Sequence, residues 1–152
     1  MRTVAGIDGL RQLIGEEVGV SEWLAVDQSR IEAFGEATED RQWIHLDPAR
    51  AQVESPYRDT VAHGFLTLSL LSHLLSVTVS LQTNVSRIVN YGLNRVRFPA
   101  PVRSGTRIRA RFRLLGIEDI TGGADVCWLV TVETEGAVKP SLVAEWIVRY
   151  YF

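Results

Sequence analysis

The sequence predicts an α+β fold in which one long, mostly apolar helix is wrapped by a strongly curved antiparallel sheet. Three observations carry that expectation. Residues 61–81 contain no Asp, Glu, Lys or Arg, a run long enough to cross a bilayer. Their polar residues are not scattered, however: Ser69, Ser72, Ser76 and Ser80 recur at steps of three and four, with His73 beside them. Phe65, Leu66, Leu70, Leu74 and Leu75 lie opposite. That pattern describes a helix buried nearly all round with one small polar stripe, not a membrane span. Second, "TRIRARFRLL" alternates strictly, placing Ile108, Ala110, Phe112 and Leu114 on one face. "DVCWLVTVET" does the same with Val126, Trp128, Val130 and Val132. Third, the connections "EDITGG" and "EGAVKP" are short, which favours antiparallel neighbours. A sheet with one apolar face and a helix with almost no polar one need each other.

Taken in order, "SEWLAV" (21–26) reads as a strand. Asp27 is placed to cap a helix over residues 29–37, with Ile31, Ala33 and Phe34 facing inward. Asp47 and Pro48 supply an N-cap and a first-turn proline for a short helix, "PARAQVE". "ESPYRDT" is a loop. The long helix then runs from about His63 to about Thr78. "NYGLNRVRF" reads as a strand ended by Pro99 and Pro101. The strands of "TRIRARFRLL", "DVCWLVTVET" and "LVAEWIVRYYF" follow, giving early helices and then a meander of at least four strands. The 152 residues fit one domain, 1–152.

Composition narrows the function classes. Hydrophobic residues make up 46% and charged residues 22%, with a net charge of −2; bulk attraction to nucleic acid is not expected. The N-terminal stretch lacks the apolar core of a signal peptide. Cys127 is the single cysteine, so no internal disulfide can form and a reducing cytoplasm is expected. The arginines at 107, 109, 111 and 113 read either as a solvated sheet face or as a basic surface for the phosphates of an anionic ligand.

The chemistry concentrates in "ATEDRQWIHLDPARA" (37–51). Asp40 and His45 are five residues apart, an offset that separates them on a helix. The cap at Asp47–Pro48 places His45 just before a helix, so the segment between them is a turn that can bring both side chains to one point. A carboxylate beside an imidazole can orient the ring, polarise a water and exchange protons near neutral pH. The plainer reading is an Asp and a His serving as cap and surface group. Gly64, at the mouth of the buried helix, either offers unpaired backbone N–H groups to a ligand carbonyl or simply lets helix and sheet pack closely. No GxGxxG, P-loop or GxSxG occurs, and the three histidines lack HExxH spacing, so no metal is implied.

"FGEATEDRQWIHLDPARA", "TVAHGFLTLSLL" and "NYGLNRVRFPAPVRSG" together resemble the MaoC-like dehydratases, the (R)-specific enoyl-CoA hydratases of the hot-dog fold. The resemblance extends from about Ser21 to the C-terminus. It implies a central helix wrapped by an antiparallel sheet, and a homodimer whose sheets pair edge to edge. It implies reversible hydration of a trans-2-enoyl-CoA to the (R)-3-hydroxyacyl-CoA. Asp40 and His45 would hold the attacking water, Gly64 would donate its backbone N–H to the thioester carbonyl, and Ser72 would lie near the pair. No cofactor beyond CoA as substrate carrier is implied, and neither nucleic-acid binding nor membrane insertion. The chain departs from the family pattern at Glu39, where Gly usually precedes the Asp, at Gln42–Trp43, where Asn-Pro is frequent, and at Arg58, where glycine is common. Two alternatives stand beside the hydratase: a hot-dog acyl-CoA thioesterase, in which water attacks the carbonyl carbon, and a non-catalytic partner subunit of a heteromeric dehydratase.

Overall fold

The computed structural model describes all residues from Met1 to Phe152. In chain order its elements are β1 (Arg2–Val4), α1 (Gly6–Arg11), β2 (Glu17–Val20), β3 (Leu24–Val26), α2 (Gln28–Thr38), α3 (Trp43–Leu46), α4 (Pro48–Glu54), α5 (Gly64–Ser69), α6 (Leu71–Ser76), β4 (Val79–Leu81), β5 (Arg87–Arg97), β6 (Thr106–Ile120), β7 (Gly123–Thr134) and β8 (Leu142–Tyr151).

The alternating strands behave as their periodicity dictates. Ile108, Ala110, Phe112 and Leu114 of β6 are fully buried, as are Val126, Trp128, Val130 and Val132 of β7. Together with Leu142, Ala144, Trp146 and Val148 of β8 they form a concave apolar face that holds Leu66, Leu70, Leu71, Leu74 and Leu75 of the helix. Burial of this kind is worth roughly 25 cal/mol per Å² of apolar surface, and it explains why a helix with so little polar surface stays folded in water. No helix is long and apolar enough to cross a membrane.

The central helix differs from its sequence reading in two respects. It is divided at Leu70 into α5 and α6, although the Leu70 and Leu74 amides still reach back to Leu66 and Leu70. It also ends at Ser76, two residues before Thr78, whose hydroxyl bonds the Leu74 carbonyl as the chain turns into β4. Phe65, expected inside, is 68% exposed; it stands edge-on to Phe98 instead of facing the sheet. In α2, Ile31 and Gly35 are buried while Ala33 faces out. Both capping expectations hold: the Asp27 carboxylate accepts from the Arg30 amide and the Asp47 carboxylate from the Arg50 amide, each at 2.9 Å.

The sheet is not a simple four-strand meander. β6, β7 and β8 follow one another, but the strand order is β2-β6-β7-β8-β5, with β3 also on β6. β5 therefore docks on the far side of β8, and the chain between Arg97 and Thr106 crosses from one edge of the sheet to the other. Its Pro99 and Pro101 cannot donate to a ladder, which keeps this crossing irregular. β1 and β4 form a separate parallel pair, Arg2 opposite Val79 and Val4 opposite Leu81. Neither β1 nor β2 is legible in the sequence as a strand.

The arginine face of β6 resolves in favour of ordinary pairing. Arg109 and Arg111 both donate to Glu133 on β7, and Arg107 donates to Glu135. Arg111 also reaches Glu17, and Arg113 the Gly15 carbonyl. These hydrogen bonds hold the Glu133 carboxyl below the usual range, Arg111 contributing most. Cys127 is half-buried on the same outer side of β7, where burial pushes its thiol up and keeps it a poor nucleophile.

Candidate active site

The segment that sequence reading singled out is a turn between two helices. α2 stops when Glu39 adopts a left-handed conformation (φ 60°). Gly35 then lets the chain fold back, since a Cβ there would sit 3.2 Å from the Asp40 carbonyl oxygen and as close to Leu46. α3 starts after Gln42, and its single turn carries His45 inward to 7% exposure.

Residues 60–63 cross behind this turn and tie it down. The Val61 amide donates to the Ile44 carbonyl at 3.0 Å, and the Ala62 amide to the Val102 carbonyl at 2.8 Å. Gln28 braces the same place, donating to the His45 carbonyl at 2.9 Å and accepting from the Thr60 hydroxyl at 2.6 Å. The result is that Asp40 and His45, from this turn, meet His63, from the segment ahead of α5. One carboxylate oxygen and one ring nitrogen from each histidine lie within 4.8 Å of one another.

The hydrogen bonds fix the proton arrangement. His45 Nδ1 lies 2.6 Å from the Val61 carbonyl oxygen. A carbonyl only accepts, so Nδ1 carries the proton and Nε2 keeps a lone pair in the neutral ring. His63 Nε2 lies 2.9 Å from the Asp40 carbonyl oxygen, so there the proton is on Nε2; His63 Nδ1 is buried without a partner in the chain. Desolvation is the main influence on His45 and lowers its pKa, His63 acts in the same direction, and the Val61 carbonyl and Asp40 oppose it. The neutral ring is thus the working form near pH 7.

Two imidazoles with a carboxylate suggest a metal centre, but the ring geometry speaks for a different ligand. The His45 and His63 rings are stacked, centroids 3.8 Å apart and 25° from parallel. Their in-plane lone pairs cannot converge on one ion at coordination distance unless a ring turns. A spacing within 4.8 Å is inside the reach of one water, which can bridge groups up to about 5 Å apart with two ordinary hydrogen bonds.

Gly64 opens α5 next to His63, with its leading N–H outside the helical ladder. A Cβ at Gly64 would meet the Phe98 ring at 3.1 Å, so the close-packing role of this glycine is present whatever else it does. Ser72 makes no hydrogen bond to the pair. Its hydroxyl donates to Asn90 of β5 at 3.2 Å, and it lines a cavity of about 320 Å³ with Leu75, Trp146 and Tyr150 that includes neither Asp40 nor His45. His63 is the site residue that sequence reasoning passed over; only the histidine–glycine pair ahead of the helix hinted at it.

Glu39 and Arg58, the two departures from family glycines, are the only non-glycine residues with positive φ (60° and 56°). Glycine adopts this conformation without strain, and a residue with a side chain does so at a cost.

A curved sheet around a central helix, with an acid and a fixed neutral histidine at the helix mouth, defines a hot-dog hydro-lyase. Residues 10–136 match the MaoC like domain, and the chain belongs to the MaoC-like dehydratase family. It is 46% identical over 151 residues to 3-hydroxyacyl-thioester dehydratase Z of Mycobacterium tuberculosis, covering 99% of each chain. It is 46% identical over 142 residues to nodulation protein N of Rhizobium leguminosarum, covering 91% of this chain and 87% of the relative. Among solved structures, the (R)-hydratase from A. caviae involved in PHA biosynthesis shares the fold with a TM-score of 0.69 at 23% identity, over 89% of this chain and 94% of that one.

Proposed function

We propose that the protein interconverts a trans-2-enoyl thioester and the (R)-3-hydroxyacyl thioester by adding or removing water. The observation that carries this reading is the arrangement of Asp40 and His45: a carboxylate and a neutral imidazole whose Nδ1–H is committed to the Val61 carbonyl, with a carboxylate oxygen and a ring nitrogen within 4.8 Å of each other. In the hydration direction the water oxygen bonds to C3 and one of its protons is delivered to C2 on the same face. The C2–C3 double bond becomes single, and charge rises transiently on the thioester oxygen. In this reading the Gly64 N–H, free at the start of α5, receives that charge; a preorganised donor of this kind is worth ~3 kcal/mol of barrier. The α-carbon is already activated by the thioester, so the reaction calls for no redox group. The 46% identity to a 3-hydroxyacyl-thioester dehydratase over the full chain supports the substrate class.

A homodimer is part of the same reading. β5 is a sheet edge of eleven residues, and Ile88, Val89, Tyr91 and Leu93 on it are all exposed. A long apolar edge invites pairing with a second copy. Light scattering should return the mass of two chains; one chain at micromolar concentration would contradict it. A cytoplasmic setting fits the lone, unreactive Cys127.

The test of function is loss of enoyl-thioester absorbance with crotonyl-CoA and longer enoyl-CoAs, with chiral analysis of the product and a parallel arm using acyl-carrier-protein thioesters. Formation of (R)-3-hydroxyacyl thioester is expected. Release of free thiol from a saturated acyl-CoA would move the assignment to a thioesterase. Activity appearing only on addition of a second subunit would move it to a partner role.

A further inference from the structure

We propose that His63 is a positioning residue that locks the water-holding pair to the carbonyl-binding end of the site. The role rests on the hydratase reading of Asp40 and His45, and it is assigned by contacts that no other residue duplicates. The His63 side chain is 2% exposed as part of its residue. One edge donates from Nε2 to the Asp40 carbonyl at 2.9 Å. One face stacks on His45 at 3.8 Å. Phe34 of α2 packs against it at 5.1 Å in a tilted arrangement. Its backbone is bonded directly to Gly64.

The consequence is geometric. Asp40 sits just after a left-handed Glu39, in a turn with no regular ladder of its own. Its own side chain has only a long 3.4 Å contact from Gln42. Without the bond from His63, the Asp40 backbone is anchored from one side only. Because the same residue begins the segment that presents Gly64, the distance from the bound water to the Gly64 N–H is set through a single rigid ring. Misplacement of reacting groups by about 1 Å costs on the order of 10²-fold in rate.

The stack has an electrostatic consequence as well. A ring stacked this closely on His45 opposes a positive charge there, and the His63 Nδ1 is buried without a hydrogen-bond partner in the chain. The titratable groups facing His45 are Asp40 from the preceding turn and His63 from the segment before α5; Gln28 on α2, which donates to the His45 carbonyl, is uncharged. His63 disfavours protonation of His45, so its removal moves the proton uptake of His45 to higher pH.

Two full-length variants separate these contributions. His63→Phe keeps a ring against His45 and loses the N–H to Asp40; His63→Gln keeps an N–H near the Nε2 position and loses the ring. With crotonyl-CoA as substrate, His63→Phe should lose about 10- to 100-fold in kcat while KM moves by less than about 3-fold. His63→Gln should recover part of that loss. Both should shift the acid limb of kcat/KM to higher pH. Folded variants with the parent kcat and the parent pH profile would overturn the proposal. The native protein gives a second readout that does not depend on a variant folding: long-range proton–nitrogen NMR at neutral pH should show His63 as the Nε2–H tautomer and His45 as the Nδ1–H tautomer. The reverse tautomers would overturn it as well. The His63 tautomer bears on the positioning role alone, whereas an inactive native enzyme sinks the hydratase reading.

Discussion

On the outer face of β6, arginine meets carboxylate: Arg109 and Arg111 share Glu133, and Arg107 holds Glu135. In the turn before α3, Asp40, His45 and His63 treat one another differently. The two histidines are fastened by one nitrogen each to backbone carbonyls, and their other nitrogens are left without a protein partner that matches them. The first cluster is closed: Arg107, Arg109 and Arg111 each meet a carboxylate, and Arg113 a backbone carbonyl. The second is held rigid from behind and left open in front. Polar groups that only support a sheet can be fully satisfied by one another; polar groups that must receive a molecule need a backbone anchor and a free end. The difference separates scaffold from site without reference to any motif.

The contrast breaks most visibly at the open cluster. Asp40→Asn removes the charge and the basicity at constant size, and His45→Gln removes the titrating ring. Each should lower turnover by at least the ~10²-fold expected of a positioned acid–base group, measured as kcat on an enoyl-CoA. The double variant should be little worse than either alone, because both act on one water. Ser72→Ala, by comparison, should leave turnover near that of the parent, since Ser72 hydrogen-bonds Asn90 and not the pair.

A second effect is smaller and depends on pH. The folded state lowers the His45 pKa below its ordinary 6.5, chiefly by desolvation. The unfolded chain therefore binds more protons than the folded one between that lowered value and about 6.5. Stability from this group is present above pH 6.5 and lost as pH falls through the folded value. Urea denaturation should show stability declining below pH 6.5, and His45→Gln should flatten that decline.

The closed cluster should answer the other way. Glu133→Gln weakens two charge-assisted bonds on a partly exposed face, a loss of about 0.5–1 kcal/mol in stability with kcat unchanged. Smallest is the backbone effect at Glu39. A left-handed conformation costs a side-chain-bearing residue about 1–2 kcal/mol, and glycine gives back about half through its freer unfolded state. Glu39→Gly should raise stability by about 0.5 kcal/mol in denaturant melts. Arg58→Gly should change little, because Arg58 also donates to the Gln52 and Val53 carbonyls at the end of α4.

What could be read from the sequence was what is local. The caps at Asp27 and Asp47, the alternation of β6 to β8 and the turn around Asp40 and His45 each depend on residues within a few positions. Features made by distant partners were not legible. β1 has no apolar alternation and is a strand only because β4, more than seventy residues on, lies beside it. β5 reads as a strand, but nothing in it says that its neighbour is β8 and not β6. His63 shares no periodic relation with His45; the two rings stack only because Val61 and Ala62 are pinned between Ile44 and Val102. The exposure of Phe65 was equally hidden, since helical phase alone placed it among the leucines.

The sheet order also governs how the chain is made. α5 and α6 end at Ser76, while the strands whose concave face covers them run from Thr106 to Tyr151. During synthesis the apolar helix leaves the ribosome first and waits for its wrapping. At roughly 5–20 residues per second that delay is on the order of 4–15 s. For that interval Leu66, Leu71, Leu74 and Leu75 have no sheet to enter. β2, near the N-terminus, waits through more than ninety residues of synthesis for its β6 partners. The nascent chain is therefore most exposed to aggregation about halfway through translation, and a holding chaperone acting on the 64–76 segment would raise the yield of native protein more than one acting on the finished chain.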